Sequence, residues 1–157
     1  FLLNFLSHTL EEEIIELHQQ GVKLKFIQSP LDQEAQSNQS VIKKAENLTK
    51  DNQKLCLQIM FNYGAKSHIV RVANQLKHQA KPISITDFDN ALKGDAPNPD
   101  ILIRTGKQHR LSNFMLWELA YAELFFLDVY WPDFKAQHLL EVLENYQNRE
   151  RRFGKVL

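Results

Sequence analysis

Apolar residues recur three or four positions apart at the start of the chain, at Leu3, Leu6, Leu10, Ile14 and Leu17. That spacing predicts one helix with a single apolar stripe, and Gly21 suits its C-terminal end, where a left-handed residue commonly closes a helix. The period then changes. Residues 22–27 alternate apolar and basic side chains and predict a strand. Residues 29–40 are polar and turn-like, and 41–50 predict a second helix with Asp51 and Asn52 as the turn after it. Residues 55–61 form an apolar run of strand length, expected in the middle of a sheet covered on both faces. Cys56 lies inside that run and is expected to be a buried thiol.

Further along, 66–79 predict a helix broken by Pro82, and 86–93 a short helix capped by Thr86. Pro97 and Pro99 delimit a linker. Residues 100–103 predict a strand, 104–113 a polar loop, 114–121 a helix, and 124–129 a strand. Asp133 is expected to cap a last helix running to about residue 152. Alternating strands and helices define an α/β fold, a parallel β-sheet flanked by helices, built as one domain. Ligands of such sheets bind beyond the carboxyl ends of the strands. Two polar segments fall there: Asn62, Tyr63 and Gly64, and Arg104, Thr105 and Gly106.

Composition narrows the function. Lysine plus arginine equals aspartate plus glutamate at 19 each over 157 residues, so bulk positive charge does not point to a nucleic-acid partner. A single cysteine excludes an internal disulfide. No apolar stretch approaches the roughly 18 residues of a membrane span, and no secretory signal pattern is present. The expectation is a cytoplasmic protein that does not span a membrane. The first helix begins at Phe1 with no capping residue before it, so the chain is expected to be a piece of a longer protein.

The segment from Asp100 to Phe134 carries the chemistry. Arg104 ends an apolar strand, Gly106 permits an unusual turn, and Arg110 and Ser112 follow closely. Two guanidiniums and a hydroxyl on one loop suit a diphosphate, since arginine offers a planar fork to phosphate oxygens. Glu123 starts the next apolar run, and a carboxylate there is a candidate for Mg²⁺, which is usually held by one or two carboxylates plus substrate phosphates. The same spacing also allows plain ion pairs of Arg104 and Arg110 with Asp100, Glu118 or Glu123.

The literal residues go further. Arg104-Thr105-Gly106, His109-Arg110-Leu111-Ser112-Asn113-Phe114, Trp117, Tyr121-Ala122-Glu123-Leu124 and Trp131-Pro132-Asp133-Phe134 resemble the signature of cis-prenyltransferases of the undecaprenyl diphosphate synthase kind. Asn62-Tyr63-Gly64 is similar to that family's upstream element, and Asn148-Arg149-Glu150-Arg151-Arg152-Phe153-Gly154 to its arginine-x-glycine tail. The resemblance implies an enzyme that condenses isopentenyl diphosphate with an allylic diphosphate such as farnesyl diphosphate. Its product would be the membrane-associated polyprenyl carrier lipid of cell-wall synthesis. Arg104, Arg110, Leu111 and Ser112 would hold the diphosphate of isopentenyl diphosphate. Glu123 and His109 would serve Mg²⁺, and Arg152 and Gly154 would reach across a homodimer interface. Phe114, Leu116, Trp117 and Phe125 would build core and interface. His8, His18, His68, His78 and His138 are read as surface or satisfied histidines.

The match has gaps. The family's N-terminal catalytic aspartate block is absent from these residues, so no catalytic residue is assigned in this chain. The chain is read as the C-terminal two-thirds of a single cis-prenyltransferase domain, inactive alone. Ala65 and Lys66 stand where the family has glycine and arginine, and Lys107 and Gln108 where it has glycine and glutamate. If Lys107 needs a positive φ, about 1 kcal/mol of strain is expected there. These departures motivate an alternative, a non-catalytic paralogue or partner subunit of a cis-prenyltransferase.

Overall fold

The computed structural model describes residues 13–28, 39–94 and 96–150. They belong to two compact units, 1–64 and 65–157. The predicted stripe positions Leu3, Leu6 and Leu10, and most of the polar stretch 29–40, lie outside the described residues.

In the first unit, helix α1 (described over 13–19) ends at Gly21, whose φ of +78° is the left-handed closure expected of it. Strand β1 (Val22–Gln28) follows, then helix α2 (Gln39–Thr49) and strand β2 (Leu55–Phe61). β1 and β2 pair in parallel, with Val22 beside Leu55 and Gln28 beside Phe61. Val22, Leu24 and Ala45 are buried against Ile14, Leu17 and Phe26, so the alternation read from 22–27 does place one face of β1 in a core.

Helix α2 also bonds to the edge of β1 that no described strand pairs. Thr49 Oγ1 accepts the Leu24 N–H at 3.0 Å and donates to the Ala45 carbonyl at 2.8 Å. Glu46 Oε1 accepts the Phe26 N–H at 2.9 Å. Two side chains thereby satisfy donors on the side of β1 where, among the described residues, no strand pairs. At the strand's start, Asn52 Nδ2 donates to the Val22 carbonyl at 2.8 Å and lies 3.2 Å from His18 Nδ1.

β2 corrects an expectation. Cys56 is exposed, and Leu55 and Leu57 are 59% and 39% exposed. An apolar run signals burial only where layers cover both faces of its sheet. Among the described residues β2 pairs with β1 alone, and α2 packs on β1.

The second unit holds α3 (Ala65–Leu76), α4 (Ile85–Lys93), β3 (Ile101–Arg104), β4 (Glu123–Phe126), a short 3₁₀ turn (Trp131–Asp133) and α5 (Ala136–Gln147). Val72, Leu76 and Leu92 form its core with Ile69, Phe88 and Ala91. The cap of α4 is Ser84 rather than Thr86. Ser84 Oγ accepts the Asp87 N–H and the Asp87 carboxylate accepts the Ser84 N–H, both at 3.1 Å, a reciprocal box set by their three-residue spacing. Asp133 does not cap α5. With Pro132 it closes the 3₁₀ turn, and α5 is capped at Lys135, whose N–H donates to His138 Nδ1 at 2.9 Å. Residues 114–121 form successive turns rather than a helix. Left-handed φ values at Asn113 (+64°) and Met115 (+43°) interrupt the helical repeat.

Thr49 is fully buried, so Thr49→Val should strand the Leu24 N–H and cost about 1–3 kcal/mol. Urea denaturation would show this, and an unchanged midpoint would remove α2 from its role at the β1 edge.

Candidate functional site

The site builds on β3 and β4, which run parallel with Ile101 beside Glu123 and Arg104 beside Phe126. Main-chain bonds extend the ladder at both ends. The Glu123 N–H donates to the Asp100 carbonyl at 2.9 Å and the Leu127 N–H to the Arg104 carbonyl at 2.8 Å. Past the strands, the Gly106 N–H reaches the Val129 carbonyl at 2.7 Å. Gly106 has φ +85° and Lys107 φ +58°, so Lys107 does occupy the left-handed backbone for which strain of about 1 kcal/mol is expected. Its ammonium lies 5.4 Å from the Tyr130 ring centroid, a cation–π contact.

Inside this loop the Arg104 guanidinium turns inward. Its Nη1 donates to the Arg110 carbonyl and, at 3.1 Å, to Ser112 Oγ. The structure therefore brings Arg104, the Arg110 backbone and the Ser112 hydroxyl together. Leu111 lies between them and accepts the Phe114 N–H at 3.1 Å. Arg110 and Ser112 are exposed. The ion pairs seen among the described residues are Lys81–Asp87, His109–Asp128 and Arg149–Glu123. The plain pairing of Arg104 or Arg110 with Asp100, Glu118 or Glu123 is not the arrangement found.

The residues expected to serve Mg²⁺ are not brought to this loop together. Glu123 sits beside Ile101 at the start of β4, about 10 Å along the strand from the level of Arg104. Its carboxylate takes Arg149 Nη1, and the Arg149 guanidinium lies 4.9 Å from the Phe125 ring centroid. His109 is at the other end of β4, its ring 5.4 Å from Phe126 and its Nε2 3.8 Å from Asp128 Oδ1. Among the described residues no group of three or more His, Cys, Asp or Glu is placed to hold a metal. Arg152 and Gly154 lie outside the described residues, and so does His8.

Three partners in this region were not singled out from sequence: Asp128, Tyr130 and Arg149. Asp128 follows the carboxyl end of β4, but with the strand expected over 124–129 the rule that drew attention to Arg104 points past it to Tyr130. Arg149 carried no local signal, because its contact depends on how α5 returns to β4. Phe114, Leu116 and Trp117 are 36–38% exposed, so they are not plain core. Trp117 packs on Phe88 at 4.9 Å and donates its indole N–H to Asp89. His68 is buried on α3. Burial, then the Arg71 charge, holds its imidazole below the ordinary 6.5, while Glu118 pulls the other way.

An arginine–serine loop beyond the carboxyl end of a parallel strand is an arrangement able to hold a phosphorylated ligand. The chain belongs to the prenyltransferase family described as undecaprenyl diphosphate synthase, whose model matches residues 1–154. It is 41% identical over 167 residues to an isoprenyl transferase of Prochlorococcus marinus subsp. pastoris, covering 99% of this chain and 60% of that protein. It is 39% identical over 161 residues to a (2E,6E)-farnesyl-diphosphate-specific ditrans,polycis-undecaprenyl-diphosphate synthase of Haemophilus influenzae, covering 98% of this chain and 67% of that one. The chain thus spans 60% to 67% of the length of these two relatives. Among solved structures, a probable undecaprenyl diphosphate synthase from Campylobacter jejuni superposes with TM-score 0.86 at 28% identity, over 99% of this chain and 74% of that chain. Lavandulyl diphosphate synthase from Lavandula x intermedia, in complex with dimethylallyl diphosphate, gives 0.88 at 29%, over 99% and 70%.

Two predictions come from this geometry. Because the fold lowers the His68 pKa below 6.5, it favours neutral imidazole. That contribution is whole above about pH 6.5 and declines as pH falls towards the folded-state value. His68→Gln should flatten the loss of stability between about pH 7 and 5, read from denaturation midpoints; an unaltered slope would show that other groups set it. For the partly exposed Arg149–Glu123 pair, a double-mutant cycle with Arg149→Gln and Glu123→Gln should give a coupling of about 0.5–1 kcal/mol. Zero coupling would mean the two side chains act separately.

Proposed function

We propose that the protein to which this chain belongs is a cis-prenyltransferase that condenses isopentenyl diphosphate with an allylic diphosphate such as farnesyl diphosphate. The loop carrying Arg104, Arg110, Leu111 and Ser112 holds the diphosphate of isopentenyl diphosphate. The Arg104–Ser112 bond within a strained turn beyond β3 carries this reading. Of the five non-glycine residues at positive φ among the described residues, Lys107, Ser112, Asn113 and Met115 lie on this one stretch. Such strain gathers where a binding geometry must be fixed. Family membership and the likeness to a farnesyl-diphosphate-specific relative support the substrate class.

In the reaction the double-bond electrons of isopentenyl diphosphate form a bond from its C4 to C1 of the allylic partner. The allylic C–O bond breaks, pyrophosphate departs with the electron pair, and a proton lost from C2 leaves the new cis double bond. Arg104 and Ser112 fix the diphosphate that stays on the nucleophile, so C4 is held in line with its target. The exposed Arg110 side chain offers a second planar fork. Mg²⁺ belongs to this reading as the ion that neutralises the departing diphosphate when bound. Glu123 and His109 are the residues of this chain that would hold it, Glu123 pairing here with Arg149 and His109 Nε2 lying 3.8 Å from Asp128 Oδ1, and no step is assigned through it.

The reading is completed by a homodimer into which Arg152 and Gly154 extend, by a cytoplasmic location, and by a polyprenyl product that associates with the membrane as carrier lipid for cell-wall synthesis. Exposed Leu139, Leu140 and Leu143 on α5, with half-exposed Phe114, Leu116 and Trp117, support an interface. A second reading, a non-catalytic partner subunit, is favoured by one observation: Lys107 holds a left-handed turn at the loop's tip and Gln108 brings no carboxylate to it.

The test is chain elongation by the full-length gene product with Mg²⁺, farnesyl diphosphate and labelled isopentenyl diphosphate, beside Arg104→Ala. The wild type should elongate and the variant lose about a hundredfold or more of the rate with its circular dichroism unchanged. Elongation untouched by Arg104→Ala would remove the loop from the site. No elongation by a well-folded wild type would favour the partner-subunit reading.

A further inference from the structure

Helix α3 begins directly after Gly64, which has no side chain to cap it. Its first amides are closed from 47 positions away. The Lys66 N–H donates to Asn113 Oδ1 at 2.9 Å, and the Ala65 N–H donates to the Asn113 carbonyl at 2.8 Å. One residue thus supplies two of the acceptors that the start of a helix lacks. Local sequence does not reveal this cap, because the asparagine lies in another segment.

Asn113 is also the last residue of the proposed diphosphate loop. It follows Ser112 directly, and both are left-handed, at φ +64° and +48°. Asparagine tolerates that region better than other residues with a Cβ, whereas serine is less at ease there. Something must therefore hold the turn in place. Arg104 grips it from inside, through the Arg110 carbonyl and Ser112 Oγ. On the other side, the two bonds from α3 fix Asn113. Ala65 is 1% exposed and Leu119, just beyond the turn, 6%, so the anchor rests on packed structure.

We propose that Asn113 is a positioning residue for isopentenyl diphosphate: by capping α3 it locks the left-handed turn that sets the Ser112 hydroxyl and the Arg110 backbone against Arg104. The binding role rests on the function proposed above, whereas the cap does not. Asn113 touches no substrate in this account and acts through Ser112 and Arg110. The first two amides of α3 are consequently bonded to the protein's own oxygens. Positions 65 and 66 serve through their backbone amides, which Ala65 and Lys66 provide as well as any other residues except proline.

The experiment uses the full-length gene product and two readouts. Hydrogen–deuterium exchange of a peptide spanning Ala65 and Lys66 reports the cap whether or not the protein turns over. Calorimetric binding of isopentenyl diphosphate, with the KM of each substrate, reports the positioning. Asn113→Ala removes the side-chain acceptor and disfavours positive φ. It should speed exchange at these amides at least about fivefold and weaken isopentenyl diphosphate by about tenfold, with the KM for the allylic substrate unchanged. Asn113→Gly keeps the backbone conformation without the side chain and should fall between Ala and wild type in both. Asn113→Asp retains an acceptor and should restore slow exchange.

Wild-type exchange in Asn113→Ala would overturn the cap. Faster exchange with unaltered isopentenyl diphosphate affinity would overturn the positioning role, as would equal weakening of both substrates. Should Asn113→Ala not fold, the Gly and Asp variants decide the same questions, with faster exchange expected in Gly alone. A wild type that neither elongates nor binds isopentenyl diphosphate would sink the proposed function, and with it the positioning role, while the exchange comparison would still decide the cap.

Discussion

The short parallel ladder between Ile101–Arg104 and Glu123–Phe126 governs what this chain can offer a phosphorylated ligand. Four residues per strand are few, yet the pairing does not stop at the strand ends. The Arg104 carbonyl accepts the Leu127 N–H, and the Gly106 N–H donates to the Val129 carbonyl. The loop after β3 is therefore tied to the segment after β4 before any side chain acts. That tie brings Lys107 to Tyr130 and His109 to Asp128. It also separates Glu123 from the loop, because in a parallel pair the residue opposite the start of one strand is the start of the other.

Much of the fold could be read from the sequence where a physical signal was local. Gly21 closes α1 in the left-handed conformation, the alternation of 22–27 became β1, and the apolar run 55–61 became β2. Arg104 and Ser112 could be paired because their types and spacing carry the chemistry within nine residues. Less legible was anything decided by contacts distant in sequence. Cys56 sits in an apolar run, but burial depends on layers that no run of residues specifies by itself. The helix predicted for 114–121 has the right composition, yet the left-handed residues before it set a chain of turns. Asp133 is a good capping residue that Pro132 and the 3₁₀ turn employ elsewhere. Glu123 is a magnesium candidate by its position at the start of an apolar run as well as by the family's pattern, but its contact with Arg149, which follows α5, depends on residues 26 positions apart.

Strain and anchoring in the loop are two sides of one arrangement. Left-handed backbone at Lys107, Ser112, Asn113 and Met115 costs about 1 kcal/mol or more at residues with a Cβ, so an isolated loop of this sequence would relax to other conformations. It persists because Arg104, the β4 extension and the first turn of α3 each fix a different part of it. A loop held at several points has little freedom left to lose when a ligand arrives, and the ordering cost of binding is correspondingly reduced.

In the proposed function Arg104 serves both the loop and the ligand, and its geometry allows it. Both recorded bonds leave from Nη1, whereas a guanidinium carries five N–H donors in one plane. The edge formed by Nε and Nη2 is a separate fork, matched in spacing to two phosphate oxygens. A lysine in its place would have to choose, since a single ammonium on a flexible stem has no second edge held in register with the first. The internal bonds to the Arg110 carbonyl and Ser112 thus orient the very fork that a diphosphate would meet. This is why an arginine, ending a strand whose neighbour fixes the loop beyond it, can be structural and functional at once.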